Sequence, residues 1–282
     1  MSYRAFDARR IAGALGAELA GVDLSEPLED AVIADIRRAL LDHQVIFFRD
    51  QHLTPEQHLA FGRRFGSLNV HDFVGGMAAH PEIIEVRKEA EDRGSNFGGA
   101  WHSDVTYLEE PALGSILYAR EVPDFGGDTL FANMYLAYDA LSDGMRRMLD
   151  GMTAVHSARR PYGTRSDWFP TQRAMEIRRS NSARAEVEHP VIRTHPETGR
   201  KGLFVNRTFT IRFSDMSEEE SAPLLDYLYR HLVRPEFTCR FRWSTNAIAF
   251  WDNRCVQHYA INDYHGQRRV MHRVTVNGDR PY

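Results

Sequence analysis

The sequence predicts a mainly β protein, a double-stranded β-helix (jelly roll) with helices at its periphery. Two observations carry this. Short apolar or alternating runs bounded by glycine, proline and asparagine recur from residue 45 to residue 276, the pattern of a double-sheet architecture. Helical periodicity is limited to a few stretches between them. A third observation concerns domain number. The 282 residues contain no internal repeat, low-complexity segment or linker, so 1–282 is expected to form one domain.

Taken in order, Gly13, Gly16 and Gly21 lie among small apolar residues without dinucleotide-fingerprint spacing. They are expected to turn between short strands. Ser25 is expected to cap a helix carrying Leu28, Val32, Ile36 and Leu40 and ending near Asp42. Residues 45–48 are apolar throughout, as in a buried strand. Thr54-Pro55-Glu56-Gln57 spells a capping box with proline at the first helical position, and that helix is expected to run through Phe65 to Gly66. Strands are expected at 83–86, 114–122, 128–131, 237–243, 247–251 and 268–276, and helices near 135–141 and 145–152. The segments 189–195 and 203–206 form two strands around a Pro-Glu-Thr-Gly turn. Ser217 with Glu220 starts a further helix to about Leu232, with a kink or late start at Pro223.

Residues 157–187 differ in composition. They hold Arg159, Arg160, Arg165, Arg173, Arg178, Arg179 and Arg184 around Tyr162, Trp168 and Phe169. This segment is expected to be an exposed, partly helical insertion, either a solvated surface or a lid over a pocket.

Composition narrows the function classes. A net charge of −4 offers no cationic excess for phosphate backbones, so nucleic-acid binding is not favoured. No apolar run reaches the length of a membrane span, and the first residues lack a signal-peptide pattern; a cytoplasmic protein is expected. Cys239 and Cys255 have no metal-binding spacing and are expected to be free thiols in a reducing compartment.

The chemistry centres on Trp101-His102-Ser103-Asp104-Val105-Thr106. In an extended segment, His102 and Asp104 would project from one face. With one more imidazole they would make a 2-His-1-carboxylate facial triad, the usual cradle of non-haem Fe(II). A His-x-Asp pair by itself is more often a surface or hydrogen-bonded pair. His258, just past the apolar run 248–251, is the candidate third ligand. Taken alone it is more readily a histidine packed at a strand end. Arg269 and Arg273, four apart on a predicted strand, share one face at roughly 13 Å. Two cations facing one pocket call for two anions, whereas Arg268 and His272 face the other way.

These segments, together with Gly126-Gly127-Asp128-Thr129-Leu130, His189 to Pro196, Phe204-Val205-Asn206, Trp251-Asp252-Asn253-Arg254, Gln257-His258-Tyr259-Ala260 and 267–273, resemble the taurine dioxygenase branch of the Fe(II)/2-oxoglutarate-dependent dioxygenases over nearly the whole chain. Separations fit too: Thr129 follows the first histidine by 27 residues, and Arg269 follows the last by 11. The resemblance implies Fe(II) on His102, Asp104 and His258. It also implies 2-oxoglutarate on Arg269, with the Thr129 hydroxyl assisting, and O2 as cosubstrate. Arginine suits that role, since its planar fork matches a carboxylate and lysine copies it poorly. The implied reaction yields succinate, CO2 and a hydroxylated substrate; a carbon bearing a sulfonate would then release aldehyde and sulfite.

For the primary substrate, a small organic anion, the resemblance implies His71, Phe209 and Arg273. The family meets the amine of taurine with an asparagine three residues before the tryptophan and a tyrosine three after the loop histidine. Here those positions are Gly98 and Val74, and Asn96 is the nearby substitute. Taurine or another alkyl sulfonate is expected, with a sulfate ester or aryloxy-carboxylate as the alternative. Homodimers or homotetramers are implied by resemblance alone. Two other classes compete: a non-catalytic jelly-roll binder of organic anions, which the complete ligand set disfavours, and a zinc hydrolase, which leaves Arg269 and Thr129 without a role.

Overall fold

The computed structural model describes residues 3–169 and 174–282. In chain order its elements are β1 (Asp7–Arg10), β2 (Ala17–Ala20), α1 (Asp30–His43), β3 (Val45–Phe48), α2 (Pro55–Arg63), β4 (Ile84–Lys88), β5 (Ala112–Glu121) and β6 (Thr129–Asn133). Then follow α3 (Met134–Asp139), α4 (Asp143–Leu149), β7 (Thr153–Ser157), α5 (Arg159–Tyr162), β8 (Glu186–Pro190), β9 (Ile192–Thr194), β10 (Lys201–Leu203) and β11 (Thr210–Phe213). The chain closes with α6 (Glu218–Leu232), β12 (Thr238–Phe241), β13 (Ile248–Asp252), β14 (Val256–Ala260) and β15 (Arg269–Asn277).

Seven strands form the major sheet in the order β1-β2-β3-β13-β5-β15-β4, and β12-β6-β14 form a smaller one. The uniformly apolar strands now have a cause. Along β3, Val45 and Phe47 join the core shared with Phe131 and Phe241 of the smaller sheet, while Ile46 and Phe48 join the core under α1 and α2. Along β13, Ala249 and Trp251 face the first core and Ile248 and Phe250 the second. Side chains alternate across a strand, so a strand covered on both faces must be apolar at every position. The double-sheet jelly roll with helices outside is the architecture expected from the sequence.

Several boundaries differ from expectation. Ser25 does not cap α1. Its hydroxyl bonds Asp23, and the helix starts at Asp30 after Glu29, which makes no side-chain cap. The Thr54–Gln57 capping box forms, but α2 ends at Arg63, leaving Phe65 in the following turn. Helix α6 does not start late: the Ser217–Glu220 capping box satisfies its first turn and the helix passes through Pro223. Among the described residues, no helix is long and apolar enough to cross a membrane.

The segment 157–187 is not simply exposed. Tyr162, Phe169, Met175 and Ala183 are buried in a cluster with Phe73, Tyr107 and Phe209. Its charged residues face outward while its aromatic residues face inward over the central cavity; Arg173 lies outside the described residues.

Candidate metal centre and its two anion cavities

His102 and His258 are brought together by backbone, not by a strand within the motif. The two residues form an isolated antiparallel bridge: His102 N–H donates to the His258 carbonyl at 3.2 Å, and His258 N–H donates to that of His102 at 2.8 Å. The motif is extended only at His102. Asp104 already lies in a turn, and Val105 takes φ 47°, a left-handed conformation costly for a β-branched residue. The reading of His102-Ser103-Asp104 as one extended stretch therefore needs correction. A bridge followed by a turn produces the convergence.

The result is a buried cluster whose ligand atoms lie within 4.8 Å of one another. His102 Nε2 is 3.6 Å from Asp104 Oδ1, and His258 Nε2 is 3.9 Å from Asp104 Oδ2. His102 Nδ1 bonds the Ala100 carbonyl at 2.7 Å, leaving the Nε2 lone pair facing the cluster. Burial, reinforced by the neighbouring His102, holds the His258 imidazole well below its usual pKa and hence neutral, as a metal ligand must be. Burial opposes ionisation of Asp104, but Arg273, His258 and His102 outweigh it and hold the carboxyl well below its ordinary range. Two imidazoles and a carboxylate suit a divalent transition metal, so the residues present fit such an ion.

A second buried group, His195, Asp252 and Cys255, also clusters. Its lone pairs are taken. His195 Nδ1 accepts from the Glu197 and Thr198 N–H groups, Nε2 donates to Asp252 at 3.0 Å, and Arg254 covers both Asp252 oxygens. Burial pushes the Cys255 thiol well above its usual pKa. This is a closed structural network. Cys239 and Cys255 are both free and buried.

Strand β15 carries the two arginines. Met271, between them, points into the inter-sheet core, so Arg269 and Arg273 point inward with it, and both are buried. Arg268 instead pairs with Glu89 and Glu121, and His272 with Glu85. Arg269 lines a cavity with Lys88, Asn96 and Tyr264, and among the described residues its Nε and Nη2 have no hydrogen-bond partner. Trp243 packs its ring against this guanidinium, 5.9 Å from the centroid, and donates its indole N–H to Thr129 Oγ1 at 3.0 Å. With that lone pair occupied, the Thr129 proton is free for another acceptor.

Arg273 lines a neighbouring cavity with His71, His102, Asp104, Phe209 and the aromatic wall of Phe97, Tyr162, Trp168 and Phe169. One guanidinium nitrogen donates to Asp104 Oδ1 at 2.8 Å, while Nε is unpartnered. The Phe73 N–H donates to His71 Nδ1, which places the ring proton on Nε2. Burial and then Arg273 push the His71 pKa down to about 3, so the ring is neutral near pH 7.

Asn96 is the one expected substrate residue that the structure turns elsewhere. It lines the Arg269 cavity, not the Arg273 cavity, and its amide donates to the Ile261 carbonyl. Gly98 lines the Arg273 cavity, and Val74 is buried in the apolar cluster with Tyr162 and Phe209. Sequence reasoning did not single out Ser115, Trp243 or Tyr264. Ser115 and Trp243 carry no local mark, because they act on Asp104 and Thr129, more than ten residues away, and Tyr264 sits in the loop before β15 outside any motif.

Fold and site thus define a jelly-roll protein with a His-Asp-His cluster able to hold a metal at the wall of the Arg273 cavity. The model of the family described as taurine catabolism dioxygenase TauD, TfdA family matches residues 7–275, and the chain belongs to that family. It is 36% identical to an alkylsulfatase of Acinetobacter baylyi over 273 residues, covering 96% of this chain and 84% of that protein. It is also 36% identical to an alpha-ketoglutarate-dependent sulfate ester dioxygenase of Pseudomonas putida over 277 residues, covering 98% and 90%. A crystal structure of a taurine dioxygenase from Burkholderia xenovorans superposes with a TM-score of 0.82 at 36% identity, covering 98% of this chain and 91% of that one.

Proposed function

We propose that this protein is an Fe(II)- and 2-oxoglutarate-dependent dioxygenase that hydroxylates a small organic monoanion with an apolar tail, a sulfate ester or sulfonate. His102, Asp104 and His258 would hold the iron. Arg269, with unpartnered nitrogens facing its cavity, would take the far carboxylate of 2-oxoglutarate, and Thr129 would donate its free proton to the same group. When bound, iron, 2-oxoglutarate and O2 supply the oxidising chemistry that leaves succinate, CO2 and a hydroxylated carbon. A carbon so hydroxylated would collapse to an aldehyde, releasing sulfate if it bore a sulfate ester and sulfite if it bore a sulfonate.

The chain's own residues orient and exclude. Arg273 would hold the substrate anion through its unpartnered Nε, with the neutral His71 ring beside it, its Nε2 3.5 Å from the Tyr107 hydroxyl. Phe97, Tyr162, Phe169 and Phe209 would keep water from the reacting carbon. Residues 157–187 supply two of those walls and would act as the lid.

The observation that carries the substrate class is the lining of the Arg273 cavity. Among the described residues it contains one cation, the imidazoles of His71 and His102, aromatic walls and no carboxylate besides Asp104. An ammonium such as that of taurine would lose its hydration there without a partner. The relatives named for alkyl sulfates and sulfate esters fit this lining. The test is a panel of an alkyl sulfate, an alkyl sulfonate, phenoxyacetate and taurine, scored by succinate formation. The uncharged-tailed sulfate or sulfonate should exceed taurine in kcat/KM at least about tenfold, the effect of roughly 1.4 kcal/mol. Taurine ranking first would overturn the substrate class, and turnover independent of O2 and 2-oxoglutarate would overturn the reaction.

A further inference from the structure

We propose that Asn253 and Ser115 are positioning residues that fix the carboxylate of Asp104 in its metal-binding orientation. Four buried side chains form a directed chain of hydrogen bonds. The Trp251 indole N–H and the Asp104 backbone N–H both donate to Asn253 Oδ1, at 2.9 and 3.0 Å. Two donors on one oxygen settle which end of the amide is which, so Nδ2 must face Ser115. It donates to Ser115 Oγ at 3.0 Å. A hydroxyl has a single proton, and with the amide donating to it, that proton goes to Asp104 Oδ2, 2.7 Å away.

The carboxylate is therefore gripped twice by the same asparagine, through its own backbone N–H and through the Ser115 hydroxyl. The grip leaves the metal side open. Oδ2 accepts from Ser115 and Oδ1 from Arg273, and each oxygen keeps one lone-pair direction for a cation between it and the histidines. It also explains how Val105 persists with φ 47°. The chain is held before it by Asn253 and after it by Thr106, whose hydroxyl accepts from Asn206 and shares a hydrogen bond with His156. An indole on β13 thus orders an amide in the following turn, the amide a hydroxyl on β5, and the hydroxyl a metal ligand in a turn, all brought together only by the fold.

This proposal rests on the metal reading above, and its test separates the two. Mn(II) affinity of the full-length protein would be measured by titrating the loss of free-ion electron paramagnetic resonance signal. Ser115→Ala removes the proton donor. Asn253→Asp keeps both acceptor contacts of Oδ1 but turns the amide donor into an acceptor, which draws the Ser115 proton away from Asp104. Added negative charge near a cation by itself predicts tighter binding, whereas loss of the grip predicts weaker binding. Both variants should bind Mn(II) on the order of 10- to 100-fold more weakly than wild type. The double variant should lose little more than either single change, since all three break one chain. At saturating metal, KM for 2-oxoglutarate should be unchanged. Wild-type affinity in either variant, with a cooperative melt showing that it is folded, overturns the positioning role while leaving the metal centre intact. Absence of Mn(II) binding by the wild type overturns both.

Discussion

Arg269 and Arg273 differ by what each already touches. Burial lowers the pKa of Arg269 from its ordinary value, a desolvation only partly offset by Tyr264 and Asp128; a buried guanidinium with unpartnered nitrogens is poised for an anion. Arg273 divides itself between Asp104 and its cavity. The two should separate kinetically. Arg269→Ala should raise KM for 2-oxoglutarate about 10- to 100-fold, the loss of charge-assisted hydrogen bonds worth roughly 1.5–3 kcal/mol. Arg273→Ala should do the same to KM for the primary substrate with a much smaller effect on 2-oxoglutarate. Steady-state kinetics with each substrate varied in turn measures the split, and equal effects on both would mean the arginines have been assigned wrongly. At this scale much was legible beforehand. The motif spacing pointed to His102, Asp104, His258 and both arginines, because chemistry restricts those positions to a few residue types. Asn96 was misplaced because a loop residue's direction is not encoded by its distance along the chain from a motif.

Among the elements, β15 shows how far periodicity reaches. Residues two apart share a face, so Arg269, Met271 and Arg273 could be grouped from sequence, and the structure places all three inward. The turn before β6 shows where periodicity stops. Gly126 and Gly127 have φ 74° and 68°, and a Cβ on Gly127 would sit 3.3 Å from Arg269 Cδ and 3.2 Å from the Tyr264 ring. Gly127 thus serves two ends, a left-handed turn and the room for the arginine stem. Gly127→Ala should strain the turn by about 1 kcal/mol and displace the guanidinium. KM for 2-oxoglutarate should rise while that for the primary substrate stays near wild type, and a normal 2-oxoglutarate KM would refute the packing argument. The helix caps divide similarly. The boxes at Thr54 and Ser217 were readable because both partners lie within four residues. The start of α1 was misread because Ser25 found Asp23 instead, a competing local bond of the kind serine readily makes.

For the molecule as a whole, the buried histidines set the acid limit. Burial pushes His58 down to about 3 and His189 to about 4, and holds His156 well below its usual range. In the unfolded chain these rings protonate near pH 6.5. Between that pH and their folded values the unfolded state binds more protons, so stability rises with pH across the window and is lost as pH falls. Each such histidine contributes up to about 1.4 kcal/mol per pH unit below 6.5. Melting of the metal-free protein should drop steeply from pH 6.5 to 4.5, and His58→Phe should flatten that slope; an unchanged slope would show that His58 is not buried neutral.

The sequence alone determined the strand-rich architecture and pointed to the residues of the candidate metal centre and the two arginines of β15. These follow from local patterns: side-chain alternation, capping chemistry and the few residues that can bind a metal or clasp a carboxylate. Tertiary structure alone decided that an isolated bridge joins His102 to His258, that the aromatic residues of 157–187 turn inward, and that Asn253 and Ser115 orient Asp104. Those contacts join residues far apart in the chain, and no short-range preference specifies which distant partner a buried polar group must find.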